Sequence, residues 1–254
     1  MDSIINNFGG IIMINFAHRG ASSEYPENTM LAFEEAVRIG ADGIELDVHK
    51  SSDGKLIVIH DEDVRRTHLG NGLVKDFTLK EIKSFKCRKK IFRDNDKALI
   101  PTLNEVLELL KNTSLLLNIE LKTDIIQYED IEQDVINLVK EYGVENRVMF
   151  SSFHSESIVK CKEIDSRFYT GFLFDKKVDE VVNYAKKIKA DGLHPNYKLI
   201  TQEMLKSAHK NNLKVIPYTV NNPNYMKKAI DLGIDGVFTD YTGLLKEIIA
   251  ENRI

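Results

Sequence analysis

The residues best suited to chemistry cluster in residues 43–61, which read GIELDVHKSSDGKLIVIHD. Two apolar runs, 44–48 and 56–59, flank Ser52-Asp53-Gly54-Lys55. A central Asp-Gly pair is the commonest two-residue hairpin turn, because both residues tolerate positive φ. The turn predicts a register in which Ser52 faces Lys55, Val48 faces Ile59, Asp47 faces His60 and Glu45 faces Glu62. Strand alternation then puts Glu45, Asp47 and His60 on one face and Ile44, Leu46, Val48 and Ile59 on the other. A solvated strand face also carries acids, so the hairpin gains meaning from its company. That company is His18-Arg19 at the end of a first apolar run and Glu120-Leu121-Lys122 at the end of a third. Glu45, Asp47 and Glu120 make an all-oxygen set whose mutual repulsion a cation or a shared proton must relieve. Hard ligands without cysteine favour one divalent cation, Mg2+ or Ca2+. Arg19 and Lys122 supply positive charge for an anionic substrate, and a guanidinium grips a phosphate with two prongs. His18 and His60 add groups that transfer protons near neutral pH.

These residues need elements that bring them together. The pattern predicts a first strand at 11–17, then a helix opened by Pro26-Glu27-Asn28-Thr29, with Asn28 as N-cap and Gly40 at its end. After the hairpin the periodicity weakens over 62–100: Arg65, Arg66, His68 and Gly70 to Gly72 read as loop, 78–85 as a short helix and 88–97 as a charged excursion. Further strands are predicted at 115–122, 148–152, 169–174, 192–194, 215–220 and 236–239, with helices between most of them. Nine strand signals exceed by one the eight staves of a closed barrel, and the antiparallel return of the hairpin accounts for the surplus. The predicted fold is therefore an α/β chain forming a (β/α)8 barrel, with a hairpin after strand 2 and a short insertion before strand 3. No glycine-rich phosphate loop of an open doubly wound sheet is present. In such barrels the site lies at the C-terminal ends of the strands, where His18, Arg19, Glu45, Asp47, Glu120 and Lys122 all fall.

Composition narrows the partners. A chain of 254 residues fits one domain, 1–254, with 62–100 as a small insertion within it. A formal net charge of −4 gives no bulk basic field, which argues against nucleic acid or an anionic membrane as the principal partner. The two cysteines, Cys87 and Cys161, suggest neither a disulfide framework nor a zinc site and suit a reducing cytoplasm. The uncharged segment 3–17 lacks the basic flank of a targeting sequence and is too short to span a membrane, so it reads as a frayed start followed by a buried strand. The oligomeric state leaves no signal in the sequence.

His18-Arg19-Gly20, Glu27-Asn28-Thr29, Glu45-Leu46-Asp47, His60-Asp61, Pro101-Thr102-Leu103, Glu120-Leu121-Lys122 and Gly236-Val237-Phe238-Thr239-Asp240, in this order, resemble the glycerophosphodiester phosphodiesterase family in its soluble bacterial, short-insertion form. Each tripeptide alone is weak; the combination spans nearly the whole chain. The resemblance implies a TIM barrel, a divalent metal, and hydrolysis of small-molecule glycerophosphodiesters to glycerol 3-phosphate and an alcohol. It implies Glu45, Asp47 and Glu120 as metal ligands, His18 and His60 as acid and base, and Arg19 and Lys122 as phosphate contacts. Tyr218 stands where the family usually has tryptophan, of which this chain has none, and would keep a ring for packing against the glycerol. Glu27 is read as a supporting residue, and Phe174 and His194 as core or rim.

Two other functions compete with this one. A lysophospholipase D would keep the same groups but need an apolar groove or a membrane-docking face, for which no amphipathic helix or lipidation signal stands out. A non-catalytic phosphodiester-binding barrel would have no use for two histidines beside a carboxylate cluster. No serine or cysteine lies in a nucleophile motif. The substrate's own 2-hydroxyl is then the expected nucleophile, and the resemblance likewise implies a cyclic phosphate that water opens.

Overall fold

The computed structural model describes residues 13–252, so the beginning of the predicted first strand and the frayed start lie outside the described residues. The strands are β1 (Ile14–His18), β2 (Gly43–Lys50), β3 (Leu56–Val58), β4 (Leu116–Leu121), β5 (Val148–Ser152), β6 (Tyr169–Phe174), β7 (Gly192–Pro195), β8 (Lys214–Val215) and β9 (Gly236–Thr239). They pair in the order β8-β7-β6-β5-β4-β2-β1-β9, with β3 attached to β2 alone. Hydrogen bonds from Asp235 N to Val215 O (3.2 Å) and from Phe238 N to Pro217 O (3.0 Å) bridge the last gap. The result is a nearly closed barrel of eight parallel strands with helices between them, as the sequence predicts. The eighth stave is shorter than the predicted 215–220, since Pro217 has no N–H to give to a ladder.

The helices are α1 (Met30–Ile39), α2 (Leu79–Ile82), α3 (Leu103–Leu110), α4 (Ile131–Glu141), α5 (Ser155–Ile164), α6 (Val181–Lys187), α7 (Gln202–Lys210), α8 (Pro223–Asp231) and α9 (Thr242–Glu251). Thr102 and Glu105 start α3 as a reciprocal capping box, and Thr78 with Glu81 does the same for α2. The N-cap of α1 is Thr29, whose hydroxyl accepts from Ala32 N, and not Asn28. Asn28 stands one residue too early, at φ +53°, and its side chain turns inward.

Alternation along β2 sends Ile44, Leu46 and Val48 outward into the core shared with α1, α3 and α4. The barrel interior is apolar at its lower end, where Ile14, Phe16, Leu116, Met149, Tyr169, Ile216 and Phe238 pack together. One pleat repeat higher, His18 pairs with Glu45, Glu45 with Asn118, and Asp47 with Glu120. The change from apolar to ionisable within a single turn of the pleat is what makes the C-terminal end chemically distinct.

The hairpin register differs from the predicted one. Val48 pairs with Val58 and His49 with Ile57, a shift of one residue. The loop holds three residues, because Ser51 N donates to Lys55 O and Gly54 N to Ser51 O, with Gly54 alone left-handed at φ +74°. Asp53 instead uses its carboxylate to accept from Ser51 Oγ and Leu79 N. The shift moves Ile59 to the opposite face, where it joins Ile57, Val64, Val74, Ile82 and Ile100 in the insertion's own small core. Among the described residues no helix is long and apolar enough to cross a membrane.

Candidate active site

A cavity of about 160 Å3 opens at the C-terminal end of the barrel, lined by His18, Arg19, Glu45, His60, Asn118, Glu120, Ser151 and Tyr218 among others. Six of the eight residues singled out from the sequence reach it. The remaining two, Asp47 and Lys122, stand directly behind: Lys122 Nζ donates to Glu120 Oε1 at 2.8 Å and lies 3.8 Å from Asp47 Oδ1. His60 arrives through the bend after β3 and not through a strand pair. Buried His49 holds that bend, donating from Nε2 to His60 O at 3.0 Å while Tyr128 O–H donates to its Nδ1.

The His-Arg-Gly triplet has a local reason. Gly20 is left-handed at φ +81°, and a Cβ there would sit 2.7 Å from the Ala32 carbonyl carbon. Arg19, just before it, also adopts positive φ (+57°), a costly state for a branched-out side chain. In return its N–H points at Glu45 Oε2 (2.9 Å), while its guanidinium donates to Glu27 Oε1 (2.9 Å) and lies 3.3 Å from Asp47 Oδ2.

Glu45, Asp47 and Glu120 offer oxygens that all lie within 4.8 Å of one another, and all three side chains are buried. Burial, then Asp47 and Glu120, push the Glu45 carboxyl well above the usual carboxylate range. Burial likewise raises Glu120, against the pull of Lys122. For Asp47 burial is outweighed by Arg19 and Lys122, which hold it well below that range. Three acids thus face two cations, and the surplus negative charge falls on Glu45. Asp47 Oδ1 is fully buried with no hydrogen-bond partner. Hard oxygen donors at this spacing, one of them without a hydrogen-bond partner, fit a divalent cation, whose charge would let Glu45 ionise beside Asp47 and Glu120.

Each cavity histidine is anchored through Nδ1. His18 donates to Asp240 Oδ1 at 2.7 Å, and His60 donates to Asp61 Oδ1 at 2.6 Å. An ionised carboxylate only accepts, so each ring carries its proton on Nδ1 and keeps Nε2 for other work. Burial alone would raise the Asp240 carboxyl, but the hydrogen bond and charge of His18 bring it down to about 2. Asn221 Nδ2 donates to Asp240 Oδ2 at 2.6 Å. Arg66 secures Asp61 and reaches Glu27 as well.

Sequence reasoning missed the roles of Asn28, Arg66, His49 and Asn221. Asn28 Nδ2 donates to Asp47 Oδ2 at 2.8 Å, which its place as a supposed N-cap concealed. Arg66 looked like one loop cation among several. Phe174 and His194 are buried in the wall, His194 against Gly171 and Phe238, in agreement with the core reading.

The family model described as Glycerophosphoryl diester phosphodiesterase family matches residues 18–244. A glycerophosphodiester phosphodiesterase of Caldanaerobacter subterraneus subsp. tengcongensis is 43% identical over 88% of this chain and 92% of its own length. One from Bacillus altitudinis is 41% identical over 89% and 94%. Among solved structures, an Oleispira antarctica phosphodiesterase in complex with the product sn-glycerol-3-phosphate superimposes with a TM-score of 0.82 at 26% identity, over 92% of this chain and 96% of that one.

Proposed function

Because the chain belongs to the glycerophosphoryl diester phosphodiesterase family, we propose that its C-terminal cavity hydrolyses glycerophosphodiesters to glycerol 3-phosphate and an alcohol by paired histidine catalysis, in a single domain acting in a reducing cytoplasm. The observation that carries the mechanism is the pair of carboxylate-anchored histidines, His18 with Asp240 and His60 with Asp61, lining one cavity beside Glu45 and Glu120. The buried free thiols of Cys87 and Cys161 support the compartment.

Glu45, Asp47 and Glu120 would hold one divalent cation, Mg2+ or Ca2+, and that ion would supply charge to stabilise the phosphoryl oxygens as negative charge grows on them. Arg19 on the cavity wall would contact the same anion, and Lys122, behind Glu120, would add positive charge to its field; both are already oriented by Glu27, Asp47 and Glu120. One histidine takes the proton of the glycerol 2-hydroxyl through Nε2 as that oxygen attacks phosphorus. The other, entering the step protonated on both ring nitrogens, gives its Nε2 proton to the departing alcohol oxygen and keeps its Nδ1 proton on its carboxylate. The product of this first step is a cyclic phosphate, and the histidines exchange roles while water opens it. Tyr218, on the cavity wall near Phe153, gives the glycerol carbons an aromatic surface.

The deciding experiment is turnover of glycerophosphocholine by the full chain before and after exhaustive dialysis against EDTA. Activity should vanish on chelation and return with Mg2+ or Ca2+. Undiminished activity in the chelated protein would overturn the cation assignment, and no activity under any metal would overturn the reaction.

A further inference from the structure

Among the described residues five large apolar side chains are exposed: Leu69, Ile91, Ile125, Tyr225 and Tyr241. All lie on one side of the barrel. Ile125 stands between β4 and α4, Tyr241 between β9 and α9, Tyr225 in the first turn of α8, and Leu69 and Ile91 between β3 and α3. Each of these segments carries the chain from the C-terminal end of the barrel into the helix that follows, the side on which the cavity opens. Tyr225 belongs in part to the flank, since it also lines a groove along α8 with Lys228, Leu232 and Ile234, whereas the opposite end of the barrel exposes no large apolar side chain among the described residues.

Ile91 is the extreme case, 85% exposed in the short turn Lys90–Phe92. Arg88, Lys89, Lys90 and Arg93 surround it, and residues 86–97 hold six cations against two acids in a chain whose net charge is −4. The turn has support: Phe92 packs on Tyr25 with ring centroids 5.9 Å apart, and Arg88 donates to the carbonyls of Arg65 and His68. Lys89 and Lys90 form no ion pair among the described residues.

An exposed apolar tip beside free cations suits one kind of partner particularly well. A lipid surface takes up separate apolar side chains one by one and attracts the lysines around them when its headgroups are anionic. A protein partner would instead need a contiguous complementary patch, whereas these side chains come from four separate connections. We propose that the mouth rim is a docking surface for an anionic lipid bilayer, with Ile91 as the inserting tip and Lys89 and Lys90 as headgroup contacts. Attachment would be weak and reversible, as one apolar tip and a few charges provide. It would set the cavity against the membrane and bring bilayer-anchored phosphodiesters within its reach, a consequence that rests on the reading of the site above.

The test is co-sedimentation of the purified full chain with vesicles of phosphatidylglycerol and phosphatidylcholine in equal parts, against phosphatidylcholine alone. Ile91→Asp and the double change Lys89→Glu, Lys90→Glu are compared with the wild type. Each lysine near an anionic surface contributes about fivefold in binding, so the charge reversal should weaken it at least about tenfold, and Ile91→Asp by a similar factor. Added salt should release the wild type. Turnover of soluble glycerophosphocholine, unchanged in every variant, reports an intact fold. Three results would overturn the proposal: no binding of the wild type to either vesicle, variants that bind as the wild type does, or a self-associated wild type that Ile91→Asp dissociates without altering lipid binding. If glycerophosphocholine is not a substrate at all, the reading of the site fails, while melting curves report the fold and sedimentation still decides the rim.

Discussion

Replacing Arg66 by methionine should damage turnover far more than stability. Its guanidinium donates from Nε to Asp61 Oδ2 (2.6 Å), from Nη1 to Glu27 Oε2 (2.7 Å), and from Nη2 to Glu27 Oε1 (2.7 Å) and Asp61 Oδ1 (3.1 Å). Asp61 in turn receives His60 Nδ1, and Glu27 receives Arg19 Nη1. One loop cation thus fixes the acceptors of a histidine and of an arginine that both line the cavity. The Arg66 side chain is nearly half exposed (45%), and ion pairs in that setting are worth about 0.2–1 kcal/mol each. Arg66→Met should therefore cost about 1 kcal/mol, a fall of roughly 2–4 °C in Tm for a chain of this size. Its effect on kcat should be larger, about 10- to 100-fold, the usual consequence of releasing a partner that orients a functional group.

The assay is kcat and KM on glycerophosphocholine, with melting curves, for Arg66→Met, Asp61→Asn and the double variant. If Arg66 acts through Asp61, the double variant should be hardly worse than Asp61→Asn alone, because partners in one chain of contacts are not additive. Arg66→Lys should recover only part of the loss, since an ammonium cannot fork to two carboxylates. A kcat within twofold of the wild type in Arg66→Met would refute the reasoning. So would the same fold-loss repeated in the Asp61→Asn background.

His18→Ala and His60→Ala should each lower kcat by about 10² to 10⁴ without weakening cation binding in calorimetry, whereas Glu45→Ala should weaken it; equal loss of affinity in all three would mean the roles are misassigned. A 2-deoxy analogue of glycerophosphocholine should bind yet turn over at least about a hundredfold more slowly, and comparable rates would show that water attacks phosphorus directly. Buried His68 donates from Nε2 to Ala98 O, and burial brings its pKa down to about 4 against that hydrogen bond and Glu27, with Arg88 adding to the fall. The unfolded chain then binds a proton that the native state refuses between about pH 6.5 and 4, so stability falls as the pH drops through that window, by about 3 kcal/mol in all. Urea unfolding at a series of pH values should show that loss in the wild type and much less of it in His68→Gln; parallel curves would assign the acid sensitivity elsewhere.

Much of the fold was legible because its signals are local. Alternation of buried runs with amphipathic stretches identified the strands, and Thr102 with Glu105 announces α3, whose packing face follows at Leu103, Val106, Leu107 and Leu110. The hairpin was legible as a hairpin but not in its register. An Asp-Gly pair suits a two-residue turn, yet here the Asp53 carboxylate is engaged by Ser51 and by Leu79 of the insertion, and only Gly54 turns left-handed. Half of that competition comes from Leu79, 26 residues along the chain, which a local rule cannot weigh. Asn28 failed for the same reason: N-cap preference describes the helix start, whereas this side chain answers to Asp47 on the neighbouring strand.

The two anchored histidines show where legibility ends. His60 has its carboxylate in the next residue, so Asp61 can be noticed on the page of the sequence alone. The carboxylate of His18 is 222 residues away, and although Asp240 ends one of the family-like motifs, nothing in the sequence ties it to His18 until β9 pairs with β1. Pairing of β9 with β1 puts Thr239 beside Ala17, so the next residues along, Asp240 and His18, meet. Asn221 then fastens Asp240 from the irregular segment after β8, accepting the Asp240 N–H at 2.9 Å on Oδ1 while donating to its carboxylate. The stave that Pro217 cuts short is thus the one that leaves room for a side chain to bridge the gap between β8 and β9, and the shortest strand of the barrel supports the carboxylate that anchors His18.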